Sequence, residues 1–510
     1  MKGVLSSALP FFAAVPGDLL ALVLVLPLVG VAVFLLAGFR AAERVALALL
    51  ATGVLLTILV AASVWTQGRP LVTFIGGFAP PLGVALRAGG FSSAMLVMGA
   101  VVLLATAAFA RTPRGAATPR MPPVFWMLAL SAASALNLAF LAEDLFTLYV
   151  ALELLTFAAV PLVCLDGKAG QMEAALTYLM FALAGSVLYL LGVVLVYGLT
   201  GTLDITLAAQ RLPASGIATA AALALMTAGL AAKAALFPLY LWLPPAHAGA
   251  APAASALLSA AVIKAPLFLM VRVWADLSPA PLAAAVAPVL ALLGAGAIVF
   301  CGVLALAQGR LKLLIAYSTA AQIGYLFLMF PLAAPGEGPL AYWSAVAWTG
   351  GALHLVSHAF SKAAMFMAAG LIAEAAGHDR LDGLSGIGRV APVSVAAFTL
   401  GGLSLMGLPP SGGFVAKVML LTAAVQQSAW WIALVILAGG LLAGGYVLKV
   451  TVIALRRPDA NAAPAARECA WRAGIALALA FGAVLLGFLP LTPLSLLTIG
   501  RPLSWEGFLP

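Results

Sequence analysis

The sequence predicts an all-α polytopic membrane protein, and three observations carry that prediction. The 510-residue chain is 65% hydrophobic and only 8% charged, where a water-soluble protein carries about 25% charged residues. Apolar runs of the roughly 20 residues needed for a helix to cross the hydrocarbon core recur from end to end. The ten-residue segments of alternating hydrophobicity that mark a membrane β-barrel are missing.

Taken in order, the runs fall at 19–39, 45–65, 91–110, 123–142, 145–165, 172–199, 216–244, 250–274, 281–307, 311–331, 340–376, 391–424, 429–455 and 471–497, which makes fourteen transmembrane segments. The longest polar stretches, around 111–120 and 456–468, are only loops, so residues 1–510 read as a single membrane domain. The first seventeen residues read as a short amphipathic lead into the first helix rather than a cleaved signal.

The formal charge of +9 is distributed as topology. Loops after odd-numbered segments hold Arg40, Arg44, Arg111, Arg114, Arg120, Lys168, Arg310, Lys312, Arg380, Arg389, Arg456, Arg457, Arg467 and Arg472. Loops after even-numbered segments hold only Arg69, Arg87, Arg211 and Arg272. The positive-inside rule then places the first set in the cytoplasm and both termini on the outer side of a bacterial-type inner (cytoplasmic) membrane. Such a distribution does not indicate a nucleic-acid partner. Cys164, Cys301 and Cys469 are scattered without a CxxC pair, so neither a metal cluster nor a disulfide framework is expected.

Ionisable groups inside apolar runs cost about 2.5–3.5 kcal/mol each to insert. This chain carries Glu153 in "LFTLYVALELLTF", Lys233 before "AALFPLYLWLPPAHAG", Lys264 in "ALLSAAVIKAPLFLMVR" and Lys417 in "GLPPSGGFVAKVML". Lys449, with Arg456 and Arg457 just beyond it, reads equally well as a lysine reaching for the headgroups. "HLVSHAFSKAAMF" places His354, His358 and Lys362 at four-residue steps, a slowly twisting stripe on one side of a helix.

Pro238 follows Lys233 by five residues, and Pro409 and Pro410 precede Lys417. Proline removes a backbone donor and interrupts the helix, and freed polar groups at membrane depth are tolerated only inside protein or beside a wet cavity. Breaks in corresponding positions of two halves point to an ion path. The halves are expected at 123–274 (segments 4–8) and 281–455 (segments 9–13), each broken in its fourth helix. A carboxylate beside a buried lysine favours the charged lysine, and parting the two would push the proton onward. Histidine titrates near neutrality with little help, which suits His247, His354 and His358 as relay stations. Three other readings stay open: a metal pair, for which the Glu of HExxH is missing, purely structural ring contacts, and a cavity for an organic solute, for which a line of Lys and His offers little shape.

The stretches "LFTLYVALELLT", "KAALFPLYLWLPPAHAGAAPAASALLSAAVIK", "RLKLLIAYSTAAQIGYL", "HLVSHAFSKAAMFMAAGLI" and "GLSLMGLPPSGGFVAKVMLL" resemble the antiporter-like membrane subunits shared by respiratory complex I, Mrp-type multisubunit Na⁺/H⁺ antiporters and membrane-bound hydrogenases. The resemblance covers roughly residues 70 to 450. It implies fourteen helices with two inverted five-helix repeats and a coupling pair of Glu153 and Lys233. It also implies that His247 and Lys264 lead to a central axis, that His354, His358 and Lys362 carry it on, and that Lys417 ends the outlet half-channel. Tyr240 stands where many relatives have His, Pro245 where they have Asp, and "RAGGFSSAML" lacks the Asp that often opens the third helix.

The expected function is therefore proton translocation by one subunit of a larger membrane assembly, with other membrane subunits and the bilayer as partners. H⁺ is the expected ion, and Na⁺ transport stays open. No cofactor is expected, and no bond-making chemistry in this chain; any redox step would lie in a partner of the NADH-quinone oxidoreductase or hydrogenase type. The alternatives are a stand-alone secondary cation/H⁺ transporter and an energy-coupling subunit for uptake of a small solute such as inorganic carbon.

Overall fold

The structure is a computed structural model that describes residues 18–39, 41–111, 121–334, 339–457, 468–490 and 495–501. Among these, twelve helices are long and apolar enough to cross a membrane. They are α1 (Asp18–Ala37), α2 (Ala42–Gln67), α3 (Gly90–Ala110), α4 (Pro123–Leu141), α5 (Leu145–Val163), α6 (Ala169–Thr200), α9 (Pro252–Leu277), α10 (Ala280–Ala307), α11 (Leu311–Leu332), α12 (Pro339–Ala376), α15 (Trp430–Leu455) and α16 (Ala470–Leu485). Two of the expected apolar runs are interrupted: 216–244 holds α7 (Ile217–Lys233) and ends as the short α8 (Leu243–Gly249) begins, and 391–424 is split into α13 (Pro392–Met406) and α14 (Gly412–Gln426).

The last run is shorter than its hydropathy suggests. The helix ends at Leu485 and a single 3₁₀ turn carries the chain to Phe488, because Pro490 cannot extend it. The loops 112–120 and 458–467 lie outside the described residues, as do the first seventeen residues with the expected amphipathic lead.

Lipid-facing and buried surfaces separate as a bilayer requires. Leu36, Leu55, Met180, Leu292, Leu441 and Leu455 are exposed on outer helix faces, where hydrocarbon is as good a solvent as protein. α9 is buried along almost its whole length and α12 along most of it, so these two helices form the centre. Every titratable group they carry inward is surrounded by protein. Glycine allows the closest helix approaches: a Cβ on Gly229 of α7 would come within 2.3 Å of the Gly185 carbonyl on α6.

Two local patterns recur. At the start of α5, the backbone of Asp144 pairs with that of Asp204, with Leu145 N donating to Leu203 O at 2.9 Å and Ile205 N to Glu143 O at 2.8 Å. At the start of α11, the backbone of Arg310 pairs with that of Arg380, with Leu311 N donating to Asp379 O at 2.8 Å and Leu381 N to Gly309 O at 2.9 Å. Each pattern satisfies orphan amides at a helix start with a strand-like crossing. A small antiparallel hairpin, β1 (Leu71–Phe74) with β2 (Ala85–Ala88), pairs Leu71 with Ala88 and Phe74 with Ala85 and leads into α3.

Candidate functional site

The first charged pair forms between α5 and α7. Lys233 Nζ lies 3.2 Å from Glu153 Oε1, with side chains only 5% and 15% exposed. The ammonium also donates to Thr156 Oγ1 at 2.9 Å, one turn below Glu153, and Ser186 of α6 donates to the Glu153 carboxylate. Ser186 and Thr156 gave no signal in the sequence, since a hydroxyl in an apolar run usually bonds its own helix. Thr156 does that too, donating to Leu152 O.

Lys233 is the last residue of α7, where the helix breaks. Ala235 takes φ +54, a costly backbone conformation for a residue with a Cβ. The carbonyl of Ala232 accepts from Ala235 N at 3.3 Å and from Trp242 Nε1 at 2.9 Å, so a side chain braces the backbone at the break. The second break works differently. Lys417 lies on α14, beyond its break, and reaches back to donate to Leu405 O at 2.6 Å, an end carbonyl of α13 left without a helical partner. Gly407 (φ +81) is needed at this turn, since a Cβ there would sit 2.8 Å from the Lys417 Cδ. The Lys417 ammonium also lies 4.2 Å from the centre of the Tyr325 ring, a cation–π contact in place of a carboxylate.

Between the breaks runs a buried polar line. Lys264 follows a π-helical turn at Leu258–Val262, a distortion common at functional sites, and its Nζ donates to Ser259 O at 3.2 Å within that turn. The same ammonium is 2.6 Å from His358 Nδ1, so Lys264 on α9 and His358 on α12 are in direct hydrogen-bond contact. His354 follows with ring centres 6.0 Å apart; its Nε2 donates to Gln322 O at 3.0 Å, and its ring lies 5.2 Å from Tyr325. Tyr325 thereby touches both His354 and the Lys417 ammonium.

Lys362 does not bond to His358 as the four-residue spacing invites. It turns to α11 instead, where its Nζ donates to Ile315 O at 3.1 Å and to Ser318 Oγ. His247 is fully buried and stacked on Phe366 of α12 at 4.6 Å. Both of its ring nitrogens lack a partner among the described residues, as do His354 Nδ1, His358 Nε2, Gln322 Oε1 and Ser361 Oγ. Buried polar groups of this kind are normally satisfied by internal water, and here they lie along the same line of side chains.

Other charges stand outside that line. Lys449 donates to Leu306 O and Gln308 O at 2.9 and 3.0 Å, closing the end of α10. Tyr240 packs against Tyr317 at 6.2 Å and Phe300 at 6.3 Å, while Pro245 is exposed; neither adds a titratable group to the line. At one end of the bundle Glu143 bonds Arg272 at 2.8 Å, with Arg87 3.6 Å away. Burial alone would raise the Glu143 carboxyl, but the Arg272 and Arg87 guanidiniums outweigh it and hold the group below its ordinary 4.5.

Membrane-length helices, two further apolar runs interrupted, and a buried line of lysines and histidines define a transporter-like membrane protein. The chain belongs to the family described as NADH:quinone oxidoreductase/Mrp antiporter, TM, which it matches over residues 142–443. It is 33% identical over 410 residues to NADH-quinone oxidoreductase subunit N of Desulforudis audaxviator, covering 79% of this chain and 78% of that one. It is 28% identical to a Na(+)/H(+) antiporter subunit of Alkalihalophilus pseudofirmus, covering 84% of each. A chain of the Mrp complex from a Dietzia species superposes with a TM-score of 0.84 at 27% identity, covering 94% of this chain and 96% of that one. The fold and family are thus those of the antiporter-like subunits of multisubunit membrane complexes.

Proposed function

We propose that this chain moves protons along its buried line, from the Glu153–Lys233 pair through the His247, Lys362, Lys264, His358 and His354 region to Lys417, as one subunit of a larger membrane complex. The observation that carries this reading is the 2.6 Å contact between Lys264 and His358, whose opposite ring nitrogen has no partner among the described residues. A histidine that accepts a proton on one nitrogen and releases it from the other is a relay by its chemistry. The recurring crossings at the starts of α5 and α11 and the two broken helices support two inverted repeats, 123–274 and 281–455.

On this reading the chain is a subunit rather than an independent exchanger. Purified alone into liposomes, it is expected to give no cation/H⁺ exchange above empty vesicles, while the intact complex does. Exchange by the isolated chain would establish the stand-alone transporter instead.

We also propose that both termini face outward. Cysteines placed at Ala116 and Ala462 should then react only with a reagent supplied from the cytoplasmic side, and one at Pro335 only from outside. The reverse pattern would invert the topology, and mixed labelling would change the number of crossings.

A further inference from the structure

The segment 248–251, the end of α8 with the two residues that link it to α9, is held by side chains from both halves of the molecule. The carbonyl of Gly249 accepts from Gln171 Nε2 at 2.8 Å, and that of Ala250 accepts from Lys312 Nζ at 3.0 Å. Gln171 lies in the first turn of α6 and Lys312 is the second residue of α11. The carbonyl of His247, two residues before Gly249, accepts from Ser255 Oγ at 3.2 Å. Gly249 is pressed against this clamp: a Cβ there would sit 3.1 Å from Gln171 Cγ. From sequence the Lys312 charge reads only as loop topology. In the structure it reaches into the bundle.

The clamp lies two and three residues along the chain from His247, which is fully buried with neither ring nitrogen partnered among the described residues. A neutral imidazole in that position needs water at its nitrogens or a route by which water reaches them. The groups around Lys312 supply the means to open one. Three carboxylates stand at this end of the bundle: Asp379, whose carbonyl accepts from Leu311 N at 2.8 Å beside Lys312, Asp166, joined through Gln171 to the Gly249 carbonyl, and Glu374 near the end of α12. Each carboxylate has a first partner: Asp379 pairs with Arg310 at 3.1 Å, Glu374 with Arg472 at 2.7 Å, and Asp166 accepts from Gln171 at 3.0 Å. The Lys312 ammonium is held on a backbone carbonyl, with these carboxylates toward the end of the bundle. Gln171 is bonded at once to Gly249 and to Asp166.

We propose that Gln171 and Lys312 are positioning residues that hold the 248–251 segment closed over His247. Swinging Lys312 toward these carboxylates frees the segment and lets His247 exchange protons with water at that face. The inference rests on the reading of His247 as a station on the proton line, and it adds the latch that times its access.

The test uses the assembled complex with Cys164, Cys301 and Cys469 changed to Ser and a single Cys at Ala250. Labelling by a small water-soluble thiol reagent should be slow in this parent. Removing one clamping hydrogen bond should speed it about tenfold or more in Lys312→Met and about threefold to tenfold in Gln171→Ala, while Lys312→Arg, which still donates, should stay near the parent. In the same variants without the added Cys, the pH dependence of proton movement should flatten, because access to His247 is no longer gated. Unchanged labelling in both variants overturns the latch. Faster labelling with an unchanged rate and pH profile overturns its link to proton movement. Should Lys312→Met fail to assemble, amide hydrogen exchange across 248–251 in Gln171→Ala decides the same question: faster exchange supports the latch and unchanged exchange overturns it. His247→Gln separates the two layers: near-wild-type proton movement there removes His247 from the line, whatever the labelling shows.

Discussion

Replacing Glu153 with Gln is expected to stop proton movement while leaving the complex assembled. The amide oxygen can still accept from Ser186 and from Lys233, so packing between α5, α6 and α7 survives. What disappears is the negative charge facing an ammonium that is only 5% exposed. The lysine keeps the Thr156 hydroxyl at 2.9 Å but no longer has a carboxylate whose approach and withdrawal could load and discharge it. A positioned acid–base group contributes at least about a hundredfold, and a loss of that size is the expected result in membrane vesicles. Lys233→Ala should also abolish transport, but it strands a largely buried carboxylate, and breaking a buried pair costs about 3–5 kcal/mol. Protein level should fall with it. The neutral double variant Glu153→Gln/Lys233→Met should recover level without recovering transport. Full transport in Glu153→Gln would remove the pair from the mechanism.

The second large effect is expected at His358. Gln there can still accept from Lys264, whose ammonium lies 2.6 Å from the ring nitrogen it would replace. If the histidine served only to hold α9 against α12, most of that bond would remain and the change would cost about 1 kcal/mol. A relay cannot be replaced in this way, since the amide has no second site from which to pass a proton on. Transport should therefore fall about a hundredfold or more with assembly near normal. Lys362→Ala should match it in transport loss but remove two hydrogen bonds to α11, with a larger drop in stability. Lys362→Arg should keep those donors yet hold its proton too firmly to release it. Near-wild-type proton movement in His358→Gln would reduce that histidine to a structural role.

Much of this site was legible from the chain because charge in an apolar run is conspicuous. Glu153, Lys233, Lys264, His354, His358, Lys362 and Lys417 stood out by the cost of placing them in hydrocarbon, and Pro238, Pro409 and Pro410 by the donors they lack. Their partners were not legible. Ser186, Thr156, Ser259, Ser318, Gln322 and Tyr325 are ordinary residues of apolar helices, and nothing local distinguishes a hydroxyl that bonds its own turn from one that bonds a neighbouring helix. The ladder itself was half misleading. Four-residue spacing puts three side chains on one side of α12, yet that side faces α9 at His358 and α11 at Lys362, and the partners differ accordingly.

Composition, hydropathy and the spacing of prolines are therefore enough to establish a helical membrane protein with charges sunk at two helix breaks. Those properties follow from the solvent: a bilayer penalises each polar group wherever it sits along the chain, so the pattern is written locally. Which charges meet is fixed by packing in three dimensions. Lys233 finds a carboxylate 80 positions away, Lys264 a histidine 94 positions away, and Lys417 an aromatic face and a broken helix end. Lys312, a loop charge by its position in the sequence, becomes part of a clamp on an interior linker. These choices depend on the depth and rotation at which helices pack. Glycine contacts, π-turns and side-chain bracing of the breaks set both, through interactions between segments that no single stretch of sequence contains.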